Sequence, residues 1–235
     1  MMRLLLFDID GTLVRCGPQI GPIFMGALKR TFGQTGNVRA YDFGGRTDTE
    51  AVIDLMTEAG LPRDEVEGRL GEVRSHYSHL LERLDPDQMR LLPGVVELLE
   101  ELAAAEDTCV ALLTGNWEIG ARAKLEPFGL NRFFDFGAFG EDGVRRNELV
   151  PVAVERAARR IGAAPEPSNV VIIGDTVRDI ACGDAHGVPV LAVATGFTPD
   201  HRLEEAGARW VVPDLRHASV REILLDGHGR ARRTP

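Results

Sequence analysis

The sequence contains little lysine. Only Lys29 and Lys124 occur among its 27 basic residues, and arginine supplies the rest. A site that binds anions through lysine therefore has few candidates. The net charge of −9 lacks the basic excess of nucleic-acid-binding proteins, so we expect no nucleic-acid partner. The acidic balance also suits a monomer or a small homo-oligomer.

Cysteine is scarce as well. Cys16, Cys109 and Cys182 are odd in number and far apart, which argues against a disulfide framework and against a zinc-binding spacing. We expect three free thiols and a reducing compartment. The six histidines form no metal-ligand pattern either.

Long apolar runs are absent. No stretch approaches the length that a membrane-spanning helix needs, so we expect no membrane partner. The N-terminal apolar run stops at Asp8 and is too short for the apolar part of a signal peptide. We therefore expect a cytoplasmic protein.

Short apolar runs, in contrast, recur along the 235 residues, of which 44% are hydrophobic. They predict strands at residues 4–7, 109–113, 170–173, 190–193 and 210–212. Helical patterns lie between them, at residues 95–102, 148–161 and 179–186. Because alternating strands and helices form βαβ units, we expect an α/β fold with a doubly wound, Rossmann-like parallel sheet.

Residues 15–90 interrupt this alternation. They show helical patterns at residues 22–32, 48–59 and 62–84 and no convincing strand. We expect a helical insertion here, with the α/β core formed by residues 1–14 and 91–225. Since the insertion begins beside the end of the first strand, it can fold over that end as a lid. The polar residues 226–235 are expected to be a disordered tail.

Acidic or hydroxyl side chains follow several of the predicted strands. Asp8 and Asp10 end the first strand, Thr114 follows the second, and Asp175 and Asp179 follow a later one. Because the carboxyl ends of parallel strands lie along one edge, we expect these groups to converge. Carboxylates so close repel each other unless a cation or a shared proton relieves them. Oxygen ligands without cysteine favour Mg²⁺, which often bridges to a substrate phosphate.

Together, these motifs resemble those of the haloacid dehalogenase superfamily of phosphohydrolases. Residues 8–12 resemble its first motif, residues 114–116 its second and residues 174–179 its fourth, in the family's order. The resemblance covers about residues 1–215, with residues 15–90 in the place of the family's helical C1 cap. It implies an enzyme similar to the phosphoglycolate phosphatases, acting on a small phosphorylated metabolite.

The resemblance also implies roles for the acidic residues. Asp8 would be the nucleophile, forming an aspartyl phosphate and contacting the metal. Asp10 would act as general acid and then as general base, and its backbone carbonyl would bind the metal. Asp175 would bind the metal directly, and Asp179 would bind or orient a metal-bound water.

The phosphate group has its own implied partners. Thr114 would donate a hydrogen bond to a phosphoryl oxygen, helped by the backbone N–H groups of Gly115 and Asn116. These roles are carried over from the second motif of the family.

The third motif departs from the family pattern, which usually supplies a lysine. The corresponding stretch, residues 143–149, has none, so we expect Arg146 to be the phosphate-binding cation. Arginine binds phosphate bidentately and keeps its charge. Lys124 and Arg145 remain alternatives.

Within the insertion, two glycines precede Arg46 and Thr47, which suggests a loop that contacts the substrate and sets specificity. Alternatively, Thr47 or Asp48 is the N-cap of a helix. The second carboxylate, Asp10, favours hydrolysis of a phosphate ester or anhydride over removal of halide. Two other functions stay open: a phosphomutase similar to β-phosphoglucomutase, and a non-enzymatic phosphoacceptor domain like a response-regulator receiver.

Overall fold

The computed structural model describes residues 2–225, which are built around a six-stranded parallel sheet. In chain order the strands are β1 (Arg3–Phe7), β2 (Val14–Arg15), β3 (Arg90–Leu91), β4 (Thr108–Leu113), β5 (Gly137–Ala138), β6 (Val170–Gly174), β7 (Val190–Val193) and β8 (Trp210–Val212). The helices are α1 (Ile20–Phe32), α2 (Asp48–Glu58), α3 (Arg63–Gly68), α4 (Leu70–Leu81), α5 (Val95–Ala104), α6 (Glu118–Leu125), α7 (Leu149–Ile161), α8 (Val177–Asp184), α9 (Asp200–Glu205) and α10 (Ala218–Leu224).

Strand β1 is buried on both faces. Leu5 and Phe7 join one apolar cluster with helices α5, α6 and α10, whereas Leu4 and Leu6 join a second with α7, α8 and α9. A strand covered on both faces reads as an unbroken apolar run, which is the pattern at the start of this sequence. The predicted doubly wound α/β fold is therefore confirmed.

The order of strands in the sheet is β5-β4-β1-β6-β7-β8. The chain builds β4 and β5 on one side of β1 and then crosses over to build β6, β7 and β8 on the other side. In open α/β sheets, ligands bind in the crevice outside the carboxyl ends of the strands at such a switch point. Asp8, the residue after β1, lies at that crevice.

Helices α1 to α4 come between β2 and β3 and pack around an apolar cluster of their own, with Phe24, Leu28 and Tyr77 among its buried members. The predicted helix 62–84 is wrong in one respect, because Gly68 ends α3 before α4 begins, and glycine disfavours helix continuation. The expectation of no strand in residues 15–90 is also wrong. The first and last residues of that segment pair in the short β2–β3 ladder.

Three further expectations concern the whole chain. All three cysteines are free thiols, as predicted. Within residues 2–225, no helix combines the length and the apolar character needed to cross a bilayer. The tail predicted for residues 226–235 lies outside the described residues.

Trp117, just before α6, connects the sheet to the helical segment. Its fully buried ring stacks on Phe24 at a centroid distance of 6.3 Å and meets Tyr77 edge-on at 5.6 Å. The indole N–H donates to Thr49 Oγ1 at 2.9 Å. A side chain of the α/β core is thus part of the apolar cluster of helices α1 to α4.

We expect Trp117→Ala to lower the free energy of unfolding by about 3–5 kcal/mol, because it leaves a large cavity where the two parts meet. Trp117→Phe keeps a ring there and should cost less. Urea denaturation followed by circular dichroism measures both changes. A loss below about 1 kcal/mol in the alanine variant would show that the ring does not stabilise this junction.

Candidate active site

Three carboxylates meet beyond the ends of β1 and β6. Asp8, Asp175 and Asp179 are buried, and each offers an oxygen within 4.8 Å of the others. Burial, together with the charges of Asp8 and Asp179, raises the pKa of Asp175 to about 9. Burial likewise raises the pKa of Asp8 to about 6, although Arg146 opposes that rise. The cluster therefore holds more negative charge than its surroundings neutralise.

This donor set fits a hard divalent cation. Carboxylate oxygens are the ligands that Mg²⁺ prefers, and one such ion would offset the repulsion among them. Backbone also encloses the Asp175 carboxylate, because a Cβ at Gly196 would lie 1.6 Å from its Oδ2 and a Cβ at Gly11 would lie 2.4 Å away. Only glycine at these two positions leaves room for the carboxylate.

The Asp179 carboxylate already has a partner on each oxygen. Its Oδ2 accepts from the backbone N–H and the hydroxyl of Thr176, the N-cap residue of α8, at 3.0 and 2.6 Å. Its Oδ1 accepts from Arg146. Asp179 therefore completes a capping box and at the same time borders the carboxylate cluster.

Arg146 is the cation that reaches this cluster. Its Nη2 lies 3.1 Å from Asp8 Oδ1 and also bonds Asp179 and the carbonyl of Leu113. Burial opposes the charge, but Asp179 and Asp8 together raise the pKa of Arg146, so the guanidinium stays protonated. Within residues 2–225, its buried Nε finds no hydrogen-bond partner.

Asp10 has different partners. Its Oδ2 accepts from Lys124 Nζ at 2.6 Å and from Asn116 Nδ2 at 2.8 Å, and Lys124 also donates to Asn116 Oδ1 at 2.6 Å. The side chain of Asp10 is 43% exposed, whereas that of Lys124 is buried. Lys124 therefore pairs with Asp10, whereas Arg146 pairs with Asp8 and Asp179.

The loop after β4 is buried and tightly packed. Thr114 is fully buried, and its Oγ1 accepts from Asn116 Nδ2 at 2.8 Å. A Cβ at Gly115 would lie 1.9 Å from the backbone oxygen of Arg46, so only glycine fits there. The Asp48 N–H donates to the Gly115 carbonyl at 2.7 Å. The helical segment therefore contacts this loop directly.

Thr47 is the N-cap of α2: its Oγ1 accepts from the Glu50 N–H at 2.9 Å and donates to the Val144 carbonyl. Arg46 is paired with Glu50 at 2.7 Å. Arg145, one of the alternative phosphate-binding cations, is 73% exposed and lies 3.7 Å from Glu50. Arg46, Thr47 and Arg145 therefore all have a partner in helix α2, and Thr47 has a second partner at Val144.

All the predicted site residues except Asp179 and Arg145 border one cavity of about 920 Å³ between the sheet edge and the helical segment. Val177, which lies within the fourth motif, also lines it. So do Ile20 and Phe197, which sequence reasoning did not single out. Single apolar residues at loop and helix ends carry no distinctive pattern, so no motif could have found them.

Comparison with known proteins finds similar proteins over most of the chain. The family model of the haloacid dehalogenase-like hydrolases matches residues 2–187. A phosphoglycolate phosphatase of Mesorhizobium japonicum is 27% identical over 205 residues, which is 86% of each chain. The pyrophosphatase PpaX of Oceanobacillus iheyensis is 25% identical over 217 residues, covering 92% of this chain and 94% of that one. The crystal structure of a hydrolase from Pseudomonas syringae has a TM-score of 0.68 at 24% identity, covering 91% and 94%.

We expect Asp175→Asn to remove the response of the protein to Mg²⁺. In EDTA the variant should melt at or above the wild-type temperature, because one buried carboxylate of a mutually repelling set is gone. A hundredfold excess of Mg²⁺ over its Kd should stabilise the wild type by about 2.7 kcal/mol, or roughly 5–10 °C in a chain of this size. Differential scanning fluorimetry measures the melting temperatures.

The matched control is Asp107→Asn, which changes an exposed carboxylate away from the cluster. This variant should keep the wild-type response to Mg²⁺. An equal response in Asp175→Asn and the wild type would mean that the cation binds elsewhere.

Proposed function

The chain belongs to the haloacid dehalogenase-like hydrolases, and from this premise we propose that it is an Mg²⁺-dependent phosphatase of a small phosphorylated metabolite. The observation that carries the proposal is the position of Asp8, with its buried carboxylate beside Asp175, Asp179 and Arg146. The relatives named phosphoglycolate phosphatase and pyrophosphatase support hydrolysis of a phosphate ester or anhydride.

Asp8, Asp175 and the backbone carbonyl of Asp10 would hold the Mg²⁺ ion, and Asp179 would orient water bound to it. When bound, the ion supplies positive charge for the phosphoryl oxygens, which carry the charge in phosphoryl transfer. Thr176 and Arg146 already donate hydrogen bonds to the two Asp179 oxygens. This supports a role for Asp179 in orienting metal-bound water rather than in binding the ion directly.

Asp8 would act as the nucleophile. Its carboxylate oxygen attacks phosphorus, the bond from phosphorus to the leaving oxygen breaks, and that oxygen takes a proton from Asp10. Asp10 then removes a proton from water, which attacks the aspartyl phosphate, releases phosphate and restores Asp8. Lys124 and Asn116 fix the Asp10 carboxyl in place, which supports its double role.

Arg146 is proposed as the main phosphate-binding cation. Its Nη2 bridges Asp8 and Asp179. Its buried Nε–H finds no acceptor among the described residues, and a phosphoryl oxygen can accept a hydrogen bond from it. Thr114 and the backbone N–H groups of Gly115 and Asn116 would bind the remaining oxygens.

We also propose that residues 15–90 act as the cap. The loop that contains Arg46 and Thr47 meets the core at Gly115 and covers the cavity, so closure there would exclude water from the reaction. A role of that loop in specificity, a monomer or small homo-oligomer and a cytoplasmic location remain predictions.

The test is release of phosphate from p-nitrophenyl phosphate in Mg²⁺ and in EDTA. We expect activity only with Mg²⁺, none in Asp8→Asn, and a fall in kcat of about 10²–10⁴-fold in Asp10→Asn, because the general acid is lost. Asp107→Asn should keep full activity.

Full activity in Asp8→Asn would refute the proposed mechanism. Transfer of phosphate between hydroxyls of a sugar phosphate, followed by ³¹P NMR, would instead indicate the phosphomutase. A long-lived phosphoprotein without turnover would indicate the receiver-like domain, which the match to a hydrolase family argues against.

The neighbouring arginines allow a matched test of the phosphate-binding cation. Arg146→Gln removes the buried charge beside Asp8, so we expect kcat/KM to fall by roughly 10²-fold. Arg145→Gln removes the charge of an exposed side chain and should have little effect. Steady-state kinetics measure both variants. Unchanged kinetics in Arg146→Gln together with lost phosphate affinity in Lys124→Met would favour Lys124 instead.

A further inference from the structure

The cavity beside Asp8 is much larger than a phosphate group. Its volume of about 920 Å³ lies near the upper end of the roughly 300–1,000 Å³ that is typical of small-molecule pockets. The two-carbon ester phosphoglycolate, the substrate in the name of several relatives, would leave most of this space unfilled. The size of the cavity therefore points to a bulkier leaving group.

The mouth of the cavity is unusually apolar. Among residues 2–225, the exposed large hydrophobic side chains are Phe43, Leu91, Ile119, Val177 and Phe197. Three of the five, Phe43, Val177 and Phe197, line this cavity. Single exposed apolar residues are normal on a protein surface, but several around one pocket indicate contact with an apolar ligand.

Both rings at the mouth contact neighbouring side chains. Phe43 packs edge-on against Phe24 at 5.4 Å and Tyr41 at 4.9 Å. Phe197 lies under the Arg15 guanidinium, 5.1 Å from the ring centroid, yet remains 92% exposed. Most of the Phe197 ring is therefore available to a ligand without any rearrangement.

Among the described residues, four of the five cations that line the cavity are already paired with carboxylates, which disfavours an anionic leaving group. Lys124 and Arg146 are paired with Asp10 and Asp8, and the other described lining cations are Arg15, Arg46 and Arg178.

Arg46 and Arg178 are paired with carboxylates, at 2.7 Å from Glu50 and 2.9 Å from Asp42. Arg15 bonds the Thr195 and Gly196 carbonyls and covers Phe197. A carboxylate on the leaving group would have to displace one of these partners or compete for Arg15.

We propose that the leaving group is a bulky, uncharged and largely apolar alcohol whose body packs against Phe43, Val177 and Phe197. This inference rests on the proposed phosphatase function, and it names Phe197 as a residue that determines specificity. The phosphoryl group binds at Asp8, and the apolar body extends to the mouth of the cavity.

The test compares kcat/KM for benzyl phosphate, ethyl phosphate and 2-phosphoglycolate with Mg²⁺ bound. Benzyl and ethyl alcohol are similarly acidic, so the first two esters differ mainly in apolar bulk. We expect benzyl phosphate to exceed each of the other substrates by at least about tenfold, because apolar contact adds that much discrimination.

Phe197→Ala should lower kcat/KM for benzyl phosphate by about fivefold or more, mainly through KM, because the ring binds ground state and transition state alike. The effect on ethyl phosphate should be small, and Phe197→Tyr should restore the preference. Ile119→Ala, which truncates another exposed apolar side chain outside the cavity, is the matched control and should change neither ester.

The outcomes separate this inference from the proposed function. Preference for 2-phosphoglycolate, or an equal loss on every ester in Phe197→Ala, would overturn the inference and leave the phosphatase intact. Absence of phosphate release from every ester by the wild type would refute the phosphatase itself, and the inference with it.

Discussion

The structure depends on a local excess of buried negative charge. Asp8, Asp175 and Asp179 lie within 4.8 Å of one another, and Arg146 is the described cation that bonds to this cluster. Burying carboxylates is costly unless they are paired or bind a metal. Burial, and then the charges of Asp8 and Asp179 that one guanidinium does not balance, raise the pKa of Asp175. We propose that a divalent cation supplies the missing charge, and the proposed chemistry on Asp8 follows from it.

The same edge of the sheet brings the other parts together. Asp10 lies two residues beyond Asp8 but has its own partners, so one short segment can supply both the proposed nucleophile and the proposed acid. Gly115 lets the helical segment approach the loop after β4, and Trp117 extends the core into the apolar cluster of that segment. The cavity therefore has one wall of motif residues that we propose bind a phosphoryl group and another wall made of apolar side chains. The first wall is built from motifs at strand ends, and the second from residues scattered over several loops and helices.

The sequence predicts much of this arrangement because much of it is local. A run such as residues 4–7 is typical of a strand buried on both faces, and motifs at the carboxyl ends of parallel strands share an edge of the sheet. Strand β5 is not predicted, because its two residues are too few to show a hydrophobic pattern. The pairing of Lys124 with Asp10 joins residues 114 positions apart, and that of Arg46 with Glu50 competes with a substrate-binding role. No sequence pattern marks Phe197 as a site residue, since its role depends on which cavity its ring borders. Prediction from the sequence therefore fails for contacts between residues that are distant along the chain and meet only in the folded protein.

The carboxylate cluster can be tested by growing crystals in Mn²⁺, a cation that also prefers oxygen ligands and scatters X-rays anomalously. The cation-binding interpretation predicts an anomalous peak between the carboxylates of Asp8 and Asp175, with Arg146 still beside Asp179. A structure in which the ion lies elsewhere, while Arg146 alone neutralises these carboxylates, would contradict it.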